Sequence, residues 1–196
     1  MTSNEIKTAT LVAGAASLIA STSQGAQAAG SVDDLIAKTF GAPAVKPLAA
    51  VMTDDDFEIA RSAKRALWQI VRHAGRPGAA VEAKAVTGQL IPLLTASPAP
   101  VKREVLWMLS EIAGDEAVPP MAALLSDSEV RDDARCALTR MPGSKATAAL
   151  SKAMPTAPED FKYALADSLR ARGGKIAGYP SRKLVPTKQT SVKAGG

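Results

Sequence analysis

Residues 114–141 read GDEAVPPMAALLSDSEVRDDARCALTRM, and this stretch predicts two short helices folded back on one another. Apolar residues recur three or four positions apart in each half, so each helix has one apolar stripe. The stripes are Val118, Met121, Leu124 and Leu125 in the first helix, and Val130, Ala134, Ala137, Leu138 and Met141 in the second. A lone helix cannot bury its own stripe, so the pair must pack against each other and against further helices.

Helix start and stop signals lie at matching places in the same stretch. Pro119 and Pro120 fall in the first turn of the first helix, where a missing amide donor costs little. Residues 126–129 (SDSE) offer hydroxyl and carboxylate acceptors to the first amides of the second helix, and Pro142 with Gly143 ends it. The stretch is therefore predicted to be a helical hairpin with defined ends.

The pattern of this hairpin recurs along the chain. Residues 41–57 (GAPAVKPLAAVMTDDDF) match residues 114–130 (GDEAVPPMAALLSDSEV) at a spacing of 73, with a glycine, a proline, an aspartate and several apolar positions aligned. Trp68 recurs as Trp107, 39 residues later, within the similar runs ALWQI and VLWML. Later apolar positions continue the series at spacings of about 30 residues. Repeats of this kind predict a stack in which each unit covers its neighbour.

These units resemble HEAT-type helical repeats. The run GDEAVP…LL…D…VR…A…AL within residues 114–138 is similar to the bacterial HEAT-like repeats named after phycobilisome lyases. The resemblance covers about residues 41–174 in four units. It implies an all-α fold, a short right-handed α-α superhelix (an armadillo-like α-solenoid) of about four helical hairpins, in which the second helices line a concave surface. The resemblance identifies a repeat and not an activity.

Composition and charge bound the class of protein. The 196 residues suffice for one domain, and seven aromatic residues beside abundant Ala and Leu favour closely packed helices over a β-sandwich. From Arg170 onward the chain holds seven Lys or Arg and no Asp or Glu, whereas the 17 basic residues before it are outnumbered by 19 acidic ones. The net charge of +5 therefore belongs to the tail, which makes nucleic acid an unlikely partner for the body.

The N-terminus has the pattern of an export signal. An uncharged apolar run at residues 8–20 is followed by Ala26-Gln27-Ala28, which predicts a signal peptide over residues 1–28, cleaved after Ala28, and a periplasmic or secreted protein. The apolar run is too short to span a bilayer, so no transmembrane span is predicted. Because Glu5 cancels the charge of Lys7, the alternative is a cytoplasmic protein with an Ala-rich N-terminal helix or tail.

Three further segments follow the predicted signal. Residues 29–40 predict an N-terminal cap segment, since a short amphipathic helix begins at the capping residue Ser31. Residues 41–174 form the predicted repeat domain. Residues 175–196 carry Gly, Pro, Ser, Thr and Lys with little apolar periodicity, which predicts a basic flexible tail; the alternative is a tail laid along the body.

Two tryptophans are predicted to lie outside the core. At about 100° per residue, Trp107 falls nearly opposite the apolar stripe of its helix, and Trp68 occupies the matching position one unit earlier. With the residues one turn away, these positions predict a partner-binding concave face made of Arg65, Trp68, Arg72, Glu104, Trp107, Glu111, Asp133, Cys136 and Arg140. The alternative is that both indoles pack against adjacent second helices, or are covered by the N-terminal segment or the tail.

The sequence predicts no catalytic residue, no cofactor and no metal. His73 is the single histidine and lacks a second ligand at useful spacing, and Ala74 follows it, so the His-Glu pairs of HEAT-like di-iron enzymes are missing. Cys136 is the single cysteine, and its acidic neighbours Asp132 and Asp133 disfavour a thiolate. The acidic run at residues 54–56 lacks the spacing of a calcium loop and is expected to cap a helix.

The function predicted from these features is that of a non-enzymatic scaffold or adaptor that binds a protein or peptide through its concave face. One alternative is a HEAT-like enzyme or enzyme subunit, since such repeats resemble bilin lyase subunits and a family of alkyl-base DNA glycosylases. Another is attachment to nucleic acid or a membrane surface through the basic tail, whose cations include Arg170, Arg172 and Lys175.

Overall fold

The computed structural model of the protein describes residues 41–181. Within this range the regular structure is entirely helical, with nine α-helices and no β-strand, which confirms the all-α prediction for this part of the chain. The helices are α1 (Val45–Ala50), α2 (Phe57–Ala74), α3 (Ala80–Leu90), α4 (Leu93–Ala96), α5 (Ala99–Ile112), α6 (Val118–Ala123), α7 (Arg131–Arg140), α8 (Ser144–Ala153) and α9 (Glu159–Ala171).

The helices pack in four consecutive pairs. Helix α1 packs on α2, α3 with α4 packs on α5, α6 packs on α7, and α8 packs on α9. The second helices of these pairs also contact one another in chain order, α2 with α5, α5 with α7 and α7 with α9. The short α6 is extended by the 3₁₀ turns Asp115–Ala117 and Leu124–Ser126, so the stretch at residues 114–141 is a helical hairpin, as predicted.

Neighbouring second helices run in the same direction. Glu104 in the first half of α5 contacts Trp68 in the middle of α2. At the other end, Ile112 lies so close to Gly75 that a Cβ on the glycine would stand 2.9 Å from its Cγ2 atom. Successive contacts therefore follow the same order along both helices, so α2 and α5 are parallel. Helices α7 and α9 are parallel as well, because Arg131 contacts Asp160 and, one turn later on α7, Arg135 contacts Ser168.

One hydrophobic core lies between the first and second helices. All nine residues of the two predicted stripes in residues 114–141 are at most 8% exposed. On α5 the helical spacing predicts an apolar stripe of Val101, Val105, Leu109 and Ile112. The first three are buried and Ile112 is half-buried, while Leu106 and Met108, outside that stripe, are buried as well. The wider buried surface of α5 follows from its position, since α2, α3, α4 and α7 all pack against it.

The helical stretch at residues 80–96 is interrupted between α3 and α4. Helix α3 ends at Leu90, and α4 begins at Leu93 with Pro92 as its N-cap residue. Gly88 lies inside α3 without interrupting it, whereas Pro92 marks the break. Proline has no amide hydrogen to donate to the preceding turn, so the helical hydrogen bonds stop there.

Side chains were predicted to cap the first amides of α2 and of α7. The cap is present at α2 and absent at α7. Oδ1 of Asp56 accepts from the amides of Glu58 at 2.9 Å and Ile59 at 3.4 Å, so the acidic run caps α2 as expected. Before α7, however, Oδ1 of Asp127 accepts from Glu129 N, and the N-cap residue Val130 makes no side-chain cap. The prediction that residues 126–129 cap the first amides of the second helix is therefore wrong, because the Asp127 side chain closes a turn ahead of the helix.

The start of the C-terminal segment lies along α9. Nη1 of Arg170 donates to the carbonyl of Tyr179 at 2.6 Å, and the rings of Tyr163 and Tyr179 meet edge to face with centroids 5.3 Å apart. The predicted signal (1–28), the predicted cap segment (29–40) and residues 182–196 of the predicted tail lie outside the described residues. In the range 41–181, no helix combines the length and the apolar character that crossing a bilayer requires.

Candidate partner-binding surface

The nine predicted partner-binding residues lie on three adjacent second helices. Residues 65, 68 and 72 are on α2, residues 104, 107 and 111 on α5, and residues 133, 136 and 140 on α7. Both tryptophans are half-buried, so neither indole is enclosed in the core. We call the surface formed by these nine residues the tryptophan face.

Trp68 joins the α2 and α5 parts of the tryptophan face. Its Nε1 donates to Oε2 of Glu104 at 2.9 Å, and the other carboxylate oxygen of Glu104 is paired with Nζ of Lys64. The guanidinium of Arg72, one turn further along α2, lies 5.4 Å from the centroid of the Trp68 ring. The indole is thus held between a carboxylate and a cation, which limits its rotation while leaving part of the ring exposed.

Trp107 joins the α5 and α7 parts in a related way. The Arg140 guanidinium lies 4.9 Å from the centroid of the Trp107 ring. One nitrogen of the same guanidinium, Nη2, is 3.6 Å from Oε1 of Glu111. Both tryptophans therefore lie beneath an arginine, although in one case the arginine comes from the same helix and in the other from the next.

The remaining predicted residues, on α7, contact side chains that the sequence analysis did not single out. Oδ2 of Asp133 is 3.4 Å from Nε of Arg103, whose Nη2 also donates to the carbonyl of Glu129. Sγ of Cys136 accepts from Nη2 of Arg135 at 3.2 Å. Cys136 therefore lies in a hydrogen-bonded packing position, half-buried beside its neighbour's guanidinium.

Lys64 and Arg103 were missed as members of the ion-pair network across this surface. A sequence signal exists for Arg103, since Arg103 and Asp133 are 30 residues apart and the similar pair Arg131 and Asp160 are 29 apart, which is about one repeat length. Opposite charges at that spacing on second helices fall side by side when the helices run parallel. The repeat spacing could therefore have predicted both pairs. Lys64 and its partner Glu104 are 40 residues apart and do not share this spacing.

His73 and the tail arginines lie away from the tryptophan face. His73 is on the opposite side of α2 from Trp68, with its Nε2 3.6 Å from Oε2 of Glu82, which also forms a bidentate pair with Arg76. Arg170 pairs with Asp167 at 2.6 Å, and Arg172 donates to carbonyls at the end of α7, so these two cations bind protein groups. Lys175 is exposed.

The tryptophan face combines aromatic and charged side chains. Within the described range, no three His, Cys, Asp or Glu side chains gather as ligands for a metal ion. On α9, away from this face, the hydrogen bond from Nζ of Lys162 to Glu159 raises the pKa of Lys162. The face itself offers two partly exposed aromatic rings surrounded by charges of both signs.

Comparison with protein-family models and with curated proteins found no match to this chain. A functional assignment therefore has to come from the arrangement of the residues themselves. The feature that distinguishes this arrangement is the pair of half-buried indoles on adjacent parallel helices, each beneath an arginine.

Proposed function

We propose that residues 41–174 form a short right-handed solenoid of four HEAT-like hairpins. Four consecutive helix pairs with parallel second helices in chain order support this arrangement. The sequence matches between the first and third hairpins support it as well. In such a stack each unit contacts mainly its neighbours, and the second helices form one continuous surface.

We propose that this surface binds a protein or peptide partner and that the protein is a non-enzymatic scaffold. The observation that carries the proposal is that Trp68 and Trp107 stand at matching positions of α2 and α5, half-buried and held in place by charged side chains. Aromatic residues whose orientation is already held lose little freedom on binding, and this is typical of residues that dominate interface energies.

The charges around the indoles suit a peptide better than a uniformly charged polymer. Arg72 and Arg140 lie over the rings, and the carboxylates Glu104 and Glu111 lie beside them. A peptide can place an apolar side chain against each ring and use its backbone and polar groups for the mixed charges. A phosphate backbone laid across the face would meet the carboxylates of Glu104 and Glu111 on α5 and of Asp133 on α7.

The test is to measure binding after removal of each indole. The full chain, immobilised, is used to capture proteins from an extract of the source cells, and the captured partner is identified by mass spectrometry and purified. We expect Trp68→Ala and Trp107→Ala each to cost about 2 kcal/mol of binding free energy, typical of an interface anchor. This corresponds to a Kd roughly 30 times higher by titration calorimetry.

Tyr163→Ala provides the matched control for this experiment. Tyr163 is also a half-buried aromatic residue on a second helix, but its ring meets that of Tyr179 edge to face and lies outside the tryptophan face. Its truncation should leave the Kd unchanged. Equal affinities for the wild type and both tryptophan variants, with all proteins folded by circular dichroism, would show that the partner binds elsewhere.

We also propose that the protein is exported after cleavage at Ala28. The support is the sequence pattern at residues 1–28. Intact-mass measurement of the native protein should give a chain that starts at Ala29. A mass that includes residues 1–28 would favour the alternative of a cytoplasmic protein.

A further inference from the structure

The outer face of α2 carries an open groove of about 720 Å³. Its lining contains two aromatic side chains and four cations, which are Phe57, Trp68, Arg61, Lys64, Arg65 and Arg72. None of the described residues that line the groove has a carboxylate. Residues 65, 68 and 72 also belong to the tryptophan face, so the groove extends that face toward the N-terminal end of α2.

The two aromatic rings of the groove lie on one face of α2, with cations between them. Phe57 and Trp68 are 11 residues apart, which places them about 20° from each other around the helix axis and about 16 Å apart along it. Arg61, Lys64 and Arg65 occupy the turns between the two rings. An extended peptide, at about 3.3 Å per residue, covers the same distance in about five residues.

The aromatic and cationic groups of this stretch are open to a ligand. Phe57 is 71% exposed and Trp68 is half-buried. Arg65 is exposed and makes no ion pair within residues 41–181. Arg61 is 3.5 Å from Glu58, but both side chains are more than half exposed, and such surface pairs contribute little to stability. Two arginines can therefore pair with carboxylates of a ligand without losing a strong interaction.

Carboxylates border the groove and limit the length of an anionic ligand. The acidic run at residues 54–56 directly precedes Phe57. Glu104 accepts the indole N–H on the α5 side of Trp68. A long polyanion laid along α2 would meet the acidic run beyond Phe57, whereas a few carboxylates placed between the two rings face only the cations of the groove.

We propose that the groove binds a short acidic segment of the protein partner in extended conformation. Two apolar side chains of the segment, about five residues apart, pack on Phe57 and Trp68, and the carboxylates between them pair with Arg61 and Arg65. This inference rests on the proposed binding function of the tryptophan face, and it adds the chemistry of the partner at the α2 end of that face.

Fluorescence of Trp68 measures occupation of the groove in the full chain. The chain contains two tryptophans, so Trp107→Phe leaves Trp68 as the sole indole. Three capped synthetic peptides, LEEEEL, LQQQQL and EELLEE, are titrated into this protein, and the Kd of each is taken from the change in emission. LEEEEL should bind about ten times more tightly than LQQQQL, because only its side chains pair with the arginines. It should also bind about ten times more tightly than EELLEE, whose composition and charge are the same but whose adjacent leucines cannot reach both rings.

Variants of α2 in the same background test which side chains bind the peptide. Arg65→Glu should raise the Kd of LEEEEL about tenfold and leave that of LQQQQL within about twofold. Lys152→Glu is the matched control, since it makes the same charge change at an exposed lysine of α8 and should leave both values unchanged. Phe57→Ser should weaken LEEEEL and LQQQQL alike, because both peptides place a leucine on that ring. Circular dichroism checks that each variant is folded.

The acidic segment and the scaffold function can fail separately. Absence of binding by LEEEEL, equal Kd values for LEEEEL and LQQQQL, or an unchanged Kd of LEEEEL in Arg65→Glu would each overturn the acidic segment. A thymidine hexanucleotide that displaces LEEEEL at an equal or lower concentration would also overturn it, since the cations would then select phosphate. A purified partner that requires both tryptophans but binds Arg65→Glu as well as the wild type would contradict only the acidic segment. A partner that binds both tryptophan variants as well as the wild type would contradict the proposed function itself.

Discussion

Leu109→Asp is expected to remove at least about 5 kcal/mol from the free energy of unfolding, since the change combines loss of a buried leucine with burial of a carboxylate. Leu109 is fully buried on α5, the helix that contacts α2, α3, α4 and α7. A domain of this size is stabilised by only about 5–15 kcal/mol in total. The variant should therefore lose the cooperative transition of the wild type in a thermal melt.

The loss of stability caused by Leu109→Asp should extend to the contacts between neighbouring hairpins. In a stack where stability is a sum of unit and interface terms, α5 supplies interfaces on both of its sides. Leu138→Asp on α7 should act in the same way, because Leu138 is also fully buried. Hydrogen exchange should show lost protection in the hairpins on either side of the substitution.

Two control variants make the result specific to burial. Leu109→Met keeps the volume and the apolar character and should cost less than about 1.5 kcal/mol. Ala148→Asp introduces the same carboxylate at an exposed position of α8 and should cost about 0.5–1 kcal/mol. A melt of Leu109→Asp that coincides with that of the wild type would contradict the burial of Leu109 between the helices.

Arg172, just after α9, holds the end of α7 from the next hairpin. Its Nη1 donates to the carbonyls of Thr139 at 2.8 Å and Met141 at 2.5 Å, and lies 3.2 Å from that of Leu138. Nη2 donates to the carbonyl of Gly143 at 2.6 Å, and Nε to Oγ1 of Thr147 at 2.8 Å. The last carbonyls of α7 have no amide partner within the helix and lie at the negative end of its dipole. The guanidinium donates hydrogen bonds to these carbonyls and places a positive charge at that end.

Arg172→Met is expected to lower the free energy of unfolding by about 3 kcal/mol, since hydrogen bonds to a charged group contribute about 1.5–3 kcal/mol and these bonds are not additive. For a domain of this size, the melting temperature should fall by roughly 6–12 °C. Arg172→Lys should recover only part of the loss, because an ammonium cannot reproduce the planar set of donors.

Lys175→Met is the matched control for Arg172→Met. It removes one positive charge three residues further on, at an exposed side chain. Its melting temperature should stay within about 1–2 °C of the wild type, as expected for an isolated surface substitution. If both variants melt alike, the contribution of Arg172 comes from net charge and not from its hydrogen bonds.

Local features of the sequence were sufficient to place most helices. Apolar residues recur at helical spacing between Asp56 and Gly75, and this pattern predicts α2 with the bounds that the structure has. Prolines and glycines act on their own turns, so their effects can be read without knowing the fold. The angular position of Trp107, nearly opposite its stripe, likewise indicates a residue outside the core, and Trp107 is half-buried.

Features that depend on a second helix were not visible in the same way. Arg172 was grouped with the tail cations, although in the structure it caps a helix about thirty residues earlier in the chain. Asp127 was expected to cap α7, yet its carboxylate closes a turn and lies 3.4 Å from Nζ of Lys102 on α5. In both cases the partner of the side chain depends on how neighbouring helices pack, which local sequence does not specify.

The amino-acid sequence by itself determined that the described chain folds into helices, where most of them begin and end, and which side of each is apolar, because these properties depend on residues within a turn or two. Only the tertiary structure decided that Trp68 bonds to Glu104 and that Arg140 covers Trp107. These contacts join residues more than thirty positions apart, and their geometry exists only once the parallel helices have packed at a particular distance and register.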